Sequence, residues 1–153
     1  PNLPDPVSSF SEVSAPSWWT QGDTFDGISS AIQRNIEFGR WKEPTPIQMQ
    51  SIPALMERRD LIGAAPTGSG KSGAFIIPAL FLSSAPYQAY YGSQATPDPK
   101  LKKKSKNKKS GKQDGKSSRE GEIRSLVLAP SRELAAQLHR EIERLGTGKP
   151  GGI

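Results

Sequence analysis

The pattern of apolar and polar positions divides the chain into short helices and short apolar runs. Between residues 25 and 38, apolar side chains recur at intervals of three and four, which predicts a helix with Asp26 as a candidate cap. A second helix is predicted to begin at Thr45-Pro46, because threonine can cap a helix and proline is tolerated in its first turn. Pro53 is expected to end or restart that helix, since it has no amide hydrogen.

Two short apolar runs, 60–64 and 125–129, are flanked by polar residues and predict buried strands. A helix is predicted after each run: 71–82, which Pro78 is expected to bend, and one capped by Ser131. The apolar face of this last helix is formed by Leu134, Leu138, Ile142 and Leu145. Strands that alternate with helices predict an α/β fold, a parallel sheet with flanking helices.

Two stretches show neither the spacing of a helix nor an apolar run typical of a strand. Residues 1–24, rich in Pro, Ser and Asp, predict an irregular N-terminal arm before a domain at 25–153. Residues 83–121, rich in Ser, Gly, Pro and Lys, predict a disordered insertion in that domain. The segment from Pro99 to Arg119 carries a charge of +9 and the whole chain +6, so the remaining residues sum to −3. Three interpretations of this lysine-rich insertion stay open: nuclear or nucleolar targeting, loose RNA contact, or a solvated segment without a specific role.

Composition excludes several classes of protein. The chain has 153 residues, enough for one domain with a core. It contains no cysteine and one histidine, which excludes a disulfide framework and a metal site built from these ligands. No apolar run approaches the roughly 18 residues of a membrane span, and no secretory signal opens the sequence. We therefore expect a soluble intracellular protein without a membrane partner, cytoplasmic unless the lysine-rich insertion directs it to the nucleus.

The segment between the first predicted strand and its helix has the features of a phosphate-binding loop. It reads Ala65-Pro66-Thr67-Gly68-Ser69-Gly70-Lys71-Ser72. Gly68 and Gly70 allow positive φ, so that backbone N–H groups can converge on phosphate oxygens at a helix N-terminus. Lys71 offers a cation to the β- and γ-phosphates, and Ser72 offers a hydroxyl to Mg²⁺. The segment therefore predicts ATP and Mg²⁺ as ligands, with Lys71 and Ser72 as candidate catalytic residues and Ser72 as the metal contact.

A second candidate binding segment runs from Trp41 to Gln48. The amide of Gln48 presents an acceptor and donors in one plane, which suits the edge of adenine where N6–H donates and N7 accepts. Trp41, seven residues earlier, could stack on the base. A capped helix start with a surface glutamine would look similar, so both interpretations stay open on these residues alone.

A third segment, Pro130-Ser131-Arg132-Glu133, opens the helix after the second predicted strand. In a parallel sheet it would lie at the same edge as the phosphate loop. Arg132 and the unpaired N–H groups of the helix start could bind a nucleic-acid phosphate. A solvated helix start is the alternative for Arg132 and Glu133.

Together, Pro-Thr-Pro-Ile-Gln, Ala-Pro-Thr-Gly-Ser-Gly-Lys-Ser and Pro-Ser-Arg-Glu-Leu-Ala-Ala-Gln, in this order, resemble the DEAD-box RNA helicase family over about residues 25–146. The resemblance implies part of a RecA-like P-loop NTPase domain, in which Gln48 reads adenine and Trp41 stacks on it. It also implies that residues 65–72 bind ATP and that Pro130 to Glu133 contact the RNA backbone.

Three positions depart from the usual pattern of the family, and one further family residue has two candidates in this chain. Ser72 and Ser131 stand where the family usually has threonine, which keeps both hydroxyls, and Arg40 stands where it usually has glycine. The family also carries an isolated aromatic residue upstream, for which Phe10 and Phe25 are both candidates.

The activity implied by the resemblance is ATP hydrolysis coupled to RNA unwinding or remodelling. The approach Leu-Pro-Asp-Pro to Phe10 resembles the branch that assists small-subunit ribosome assembly, which implies precursor ribosomal RNA, assembly-factor proteins and the nucleolus. The sequence contains no Asp-Glu-Ala-Asp, no Ser-Ala-Thr and no second RecA-like lobe. We therefore expect weak nucleotide binding and negligible hydrolysis from these 153 residues alone. A non-catalytic protein that binds nucleotide or RNA, and another P-loop enzyme such as a DNA helicase, stay open as alternatives.

Overall fold

The computed structural model describes residues 3–19, 22–85 and 123–147. These residues form one 3-10 turn, Phe10–Glu12, and four α-helices. The helices are α1, Gly22–Phe38; α2, Pro46–Met56; α3, Lys71–Ser84; and α4, Arg132–Thr147. Within the three ranges there is no strand, and no helix is both long and apolar enough to cross a bilayer.

Helix α3 lies at the centre of the packing, because it contacts each of the other three helices. Its sequence is apolar on nearly every face, as expected for a helix that is covered on several sides. Phe81 and Ile76 of α3 are among the most deeply buried side chains, together with Ile52 of α2 and Leu145 of α4. The predicted apolar face of α4 is confirmed, since two of its four members are buried and the other two pack against the core.

The N-terminal arm packs into the same core. Its buried side chains are Val7, Phe10, Val13, Pro16 and Trp19. The amide of Val7 donates to the carbonyl of Met49 at 3.0 Å. In an uninterrupted helix that carbonyl would accept from residue 53, but Pro53 has no N–H to give. The prediction that Pro53 ends or restarts the helix is wrong, because the arm supplies the missing donor and α2 continues to Met56.

The helix boundaries correct two further details of the prediction. Helix α1 begins at Gly22, so Asp26 lies inside the helix, exposed, and is not its cap. Helix α3 continues past Pro78 to Ser84 and therefore includes the first two residues of the predicted insertion. From residue 86 to residue 121, the predicted disordered insertion lies outside the described residues.

Helices α1 and α2 both end in a Schellman motif with an arginine in the left-handed region. Arg40 has φ 60° and Arg58 has φ 57°. After α1, the amide of Trp41 donates to the carbonyl of Ile36 at 3.1 Å, and that of Arg40 to the carbonyl of Glu37 at 2.9 Å. The same pair of bonds, 3.2 and 2.9 Å long, closes α2 at Arg58. The first motif fixes the backbone of Trp41 directly after α1.

The predicted buried strands at 60–64 and 125–129 are not observed in the described residues, where both segments are unpaired and largely exposed. Ile62 is fully exposed, and the two leucines of 125–129 are 78% and 82% exposed. A strand exists only through hydrogen bonds to a neighbouring strand, and the described ranges contain none for either segment. The second segment is instead fixed beside the end of α3, where Arg124 Nη1 donates to the carbonyl of Ser83 at 2.8 Å. The predicted parallel sheet is not observed in this part of the chain.

Candidate nucleotide-binding site

The glycine-rich loop leads directly into helix α3. Both of its glycines adopt the left-handed conformation, Gly68 with φ 81° and Gly70 with φ 87°. A Cβ on Gly68 would meet no other atom, so glycine is required there only because of the positive φ. At Gly70, which caps α3, an added Cβ would also lie 2.6 Å from Gln48 Nε2 and 2.8 Å from Thr45 Oγ1. Gly70 therefore allows the start of α2 to approach the loop backbone.

Lys71 is folded back onto the loop. Its Nζ donates to the carbonyl oxygens of Ala65 at 2.5 Å and Pro66 at 2.6 Å. The side chain thus spans the loop from the first turn of α3, at the position from which a cation can reach a bound phosphate. Because two carbonyls already hold it, a phosphate has to replace at least one of these bonds.

Gln48 joins α2 to the loop. Its side chain is 3% exposed; Nε2 donates to the carbonyl of Gly70 at 2.9 Å and Oε1 accepts from the amide of Thr45 at 3.0 Å. The two partners fix the orientation of the amide, since a carbonyl needs a donor and an N–H needs an acceptor. The structure therefore places Gln48 against the phosphate loop, as a buried residue rather than a surface glutamine.

Trp41 lies beside the first turn of α3. If Gly73 carried a Cβ, that atom would lie 2.7 and 2.8 Å from Cζ3 and Cη2 of the Trp41 ring. The ring is partly buried against the core, and its centroid is 6.4 Å from that of Phe10. Phe25, the other upstream candidate, stacks instead on Phe81, with centroids 5.2 Å apart. Of the two upstream aromatic residues, Phe10 is therefore the one with a ring contact to Trp41.

The predicted RNA-binding segment forms the start of α4. Ser131 Oγ accepts a hydrogen bond from the amide of Leu134 at 3.2 Å, so Ser131 caps the helix as predicted. Pro130, Ser131, Arg132 and Glu133 are all exposed. Within the described residues, no hydrogen bond or ring contact joins this segment to the phosphate loop, so the two remain separate candidate surfaces.

The loop fits a polar ligand. The hydroxyl oxygen of Ser69 is buried and has no hydrogen-bond partner in the described part of the protein. Buried polar groups without partners are uncommon and call for an explanation, which a phosphate or a base edge would supply. Ser72, the predicted metal contact, is half-buried in the first turn of α3. In the ranges that the structure describes, no group of three His, Cys, Asp or Glu side chains could hold a metal ion.

Three residues near this site were missed by the sequence analysis. The sequence predicts Thr45 only as a helix cap, although its hydroxyl lies close to Gly70. Gly73 lies inside an apolar helix, where a glycine often has a packing reason, and here a Cβ would meet Trp41 and Gln48. The Cζ of Arg144 lies 5.3 Å from the centroid of the Trp41 ring. Arg144 follows the loop by more than 70 residues, and nothing in the sequence around it indicates a contact with the site.

A glycine-rich loop at a helix N-terminus, with a buried glutamine bonded to it, is typical of proteins that bind the phosphates of a nucleotide. A family model, DEAD/DEAH box helicase, matches residues 45–151. The match covers more than half of the chain, and the chain belongs to this family. The family suggested by the three sequence motifs is therefore confirmed.

Individual relatives agree with the family. The chain is 32% identical to the "Probable ATP-dependent RNA helicase DDX52" of Bos taurus over 147 aligned residues. These residues make up 96% of this chain and 18% of the relative. It is 34% identical over 149 residues to the ddx52 helicase of Dictyostelium discoideum, covering 97% and 16%. It is 37% identical over 147 residues to "DEAD-box ATP-dependent RNA helicase 57" of Arabidopsis thaliana, covering 96% and 20%. The chain thus spans a fifth or less of the length of these relatives.

Proposed function

We propose that this chain binds ATP as part of an ATP-dependent RNA helicase, with residues 65–72 around the phosphates and Gln48 at the base. The observation that carries the proposal is the bond from Gln48 Nε2 to the Gly70 carbonyl, which joins the predicted base-reading residue to the predicted phosphate loop at 2.9 Å. Membership of the helicase family and the names of the relatives support the activity.

Gln48 has the hydrogen-bonding capacity that adenine requires. One of its two N–H groups is used by Gly70 and one lone pair of its carbonyl oxygen by Thr45. One N–H and one lone pair remain, which match N7 and N6–H of adenine. Guanine carries a carbonyl oxygen in place of N6–H, so it would face the Gln48 oxygen with another acceptor. Gln48 therefore favours ATP over GTP.

At the phosphate end, the backbone N–H groups of the loop and the N-terminus of α3 provide partial positive charge. Lys71 exchanges its bonds to Ala65 and Pro66 for phosphate oxygens and stabilises the charge that develops during transfer. Mg²⁺ bound with ATP would neutralise phosphate charge, and Ser72 is the residue that would contact it.

The wider assignments are part of the same proposal. Pro130 to Glu133 contact the RNA backbone, through Arg132 and the exposed start of α4. The chain contributes to a RecA-like α/β domain, in which 60–64 and 125–129 become strands of a parallel sheet. Precursor ribosomal RNA, assembly-factor proteins and a nuclear or nucleolar location follow from the resemblance of the N-terminal segment.

The test compares nucleotide affinities by titration with ATP and GTP in the presence of Mg²⁺. We expect wild-type protein to prefer ATP, Gln48→Ala to reduce that preference, and Lys71→Ala to abolish binding of both nucleotides. Gln50→Ala is the matched control, because Gln50 lies on the same helix and also donates to a backbone carbonyl, that of Pro4 at 3.2 Å, away from the loop. An ATP/GTP ratio that is the same in wild type and Gln48→Ala would exclude the assignment of Gln48.

The alternative is a protein that binds nucleotide or RNA without hydrolysis. Phosphate release with and without single-stranded RNA separates the two functions. The intact mass of the protein in its source cells is the companion measurement: a mass well above 16.6 kDa supports the helicase, whereas a mass near that value together with RNA-independent, negligible hydrolysis supports the binding protein.

A further inference from the structure

The guanidinium of Arg144 lies against both Trp41 and Gly39. Its Cζ is 5.3 Å from the centroid of the Trp41 ring, within the range of a cation–π interaction. A Cβ on Gly39 would lie 2.5 Å from Arg144 Nη1. The guanidinium therefore fills the space left by the missing side chain of Gly39, and it reaches the tryptophan from a helix about a hundred residues further along the chain.

Arg144 is held in this position from two sides. Nη2 forms an ion pair with Glu141 Oε1 at 2.5 Å, one turn earlier on α4, with the two side chains 28% and 26% exposed. Helix α4 is itself fixed to α1, because Asn35 Nδ2 donates to the carbonyl of Leu145 at 2.7 Å. The ion pair with Glu141 and the contact with the Trp41 ring together account for the position of the guanidinium.

The Trp41 ring is also held by the first turn of α3. An edge of its ring abuts Gly73, one residue after Ser72. The plane of the ring is therefore set jointly by the first turn of α3, by Phe10 and by Arg144. A stacking contact with a base depends on the orientation of this plane, since offset stacking is effective only between nearly parallel rings.

We propose that Arg144 is a positioning residue for the nucleotide base: it holds Trp41 in the orientation that stacks on adenine and thereby sets the affinity for ATP. This inference rests on the proposed function, in which Trp41 contacts the base and residues 65–72 bind the phosphates. It assigns α4, which begins at the proposed RNA contact, a second role at the nucleotide site.

The test measures binding of ATP and of inorganic tripolyphosphate, which has no base, to the full chain. We expect Arg144→Gln to weaken ATP binding by about three- to tenfold and to leave tripolyphosphate binding unchanged. Arg140→Gln is the matched control, because Arg140 is an exposed arginine on the same helix and its loss removes the same charge. If Arg144→Gln does not fold, Glu141→Gln releases the guanidinium without removing it and should give a smaller, ATP-specific loss.

A double-mutant cycle completes the experiment. In a Trp41→Ala background, Arg144→Gln should have no further effect on ATP affinity, because the two residues act through one contact. Equal losses for ATP and tripolyphosphate, or additive effects in the cycle, would overturn the inference and leave Arg144 with an electrostatic or folding role. The proposed function is judged separately: it fails if wild-type protein binds no ATP, whereas the inference alone fails if Trp41→Ala weakens ATP binding and Arg144→Gln does not.

Discussion

The Arg40→Gly substitution should stabilise the protein, although it removes a long side chain. Arg40 occupies the left-handed position of the Schellman motif that ends α1, with φ 60°. A residue with a Cβ is strained there by about 1–2 kcal/mol, whereas glycine is not. Glycine also gains about 0.4–1 kcal/mol of conformational freedom in the unfolded state, which opposes the effect. The net expectation is a gain of roughly 0.5–1 kcal/mol in the free energy of unfolding.

Arg58 offers an internal comparison for this reasoning. It has nearly the same backbone conformation, with φ 57°, and closes α2 with the same pair of hydrogen bonds. Its guanidinium, however, lies 3.6 Å from the centroid of the Trp18 ring, a cation–π contact of about 0.5–1 kcal/mol at an exposed site. Arg58→Gly loses that contact as it relieves the strain. We expect a change close to zero at Arg58, in contrast to the gain at Arg40.

The assay is chemical and thermal unfolding of wild type, Arg40→Gly, Arg58→Gly and Arg40→Ala, followed by circular dichroism. A gain of 1 kcal/mol corresponds to a rise on the order of 4 °C in melting temperature for a chain of this size. Arg40→Ala keeps the Cβ and therefore the strain, so it should match wild type within about 0.5 kcal/mol. A loss of stability in Arg40→Gly, or an equal gain at Arg40 and Arg58, would refute the reasoning.

Three further predictions test other contacts. Gly73→Ala should lower the free energy of unfolding by about 1 kcal/mol, after allowing for its gain in helix propensity, and should also weaken ATP binding. The reason is that the added Cβ would overlap the side chains of Trp41 and Gln48. Unchanged unfolding and titration curves would show that these side chains can move apart to accept the methyl group. Val7→Pro should cost about 1–3 kcal/mol more than Val7→Ala in urea unfolding, because it leaves the carbonyl of Met49 without a donor. Leu126→Lys combined with Leu128→Lys should lower self-association in sedimentation velocity without lowering the melting temperature, because both leucines are largely exposed; a drop in melting temperature would mean that they are packed.

The conformation of the glycine-rich loop could be predicted from the sequence because it depends on local residues. Residues 65–72 are contiguous, and the positive φ values at Gly68 and Gly70 follow from what glycine alone adopts without strain. The predicted partner Gln48 also lies next to the loop, although its bond to Gly70 spans 22 residues. That pairing was suggested by the order of the motifs in a resembling family, and spacing alone did not require it.

The strands and the N-terminal arm show where local patterns do not suffice. Apolar runs such as 60–64 predict burial, but burial of a strand depends on neighbours at a distance in sequence, and the described residues supply none. The arm, 3–19, lacks any period, yet it is buried through single side chains at irregular spacing and through one backbone bond to Met49. Neither kind of contact leaves a periodic trace in the sequence, so neither could be predicted from it.

The region that matches the family model is smaller than the region that packs together. The match begins at residue 45. Trp41 precedes the match and contacts α3, and α1, which also precedes it, packs against both α3 and α4. The arm also supplies the donor that lets α2 pass through Pro53. A fragment that began at residue 45 would lose these contacts and expose the faces of α2 and α3 that they cover. The glycine-rich loop is therefore supported by residues 3–19 and 22–44, which pack against the same core.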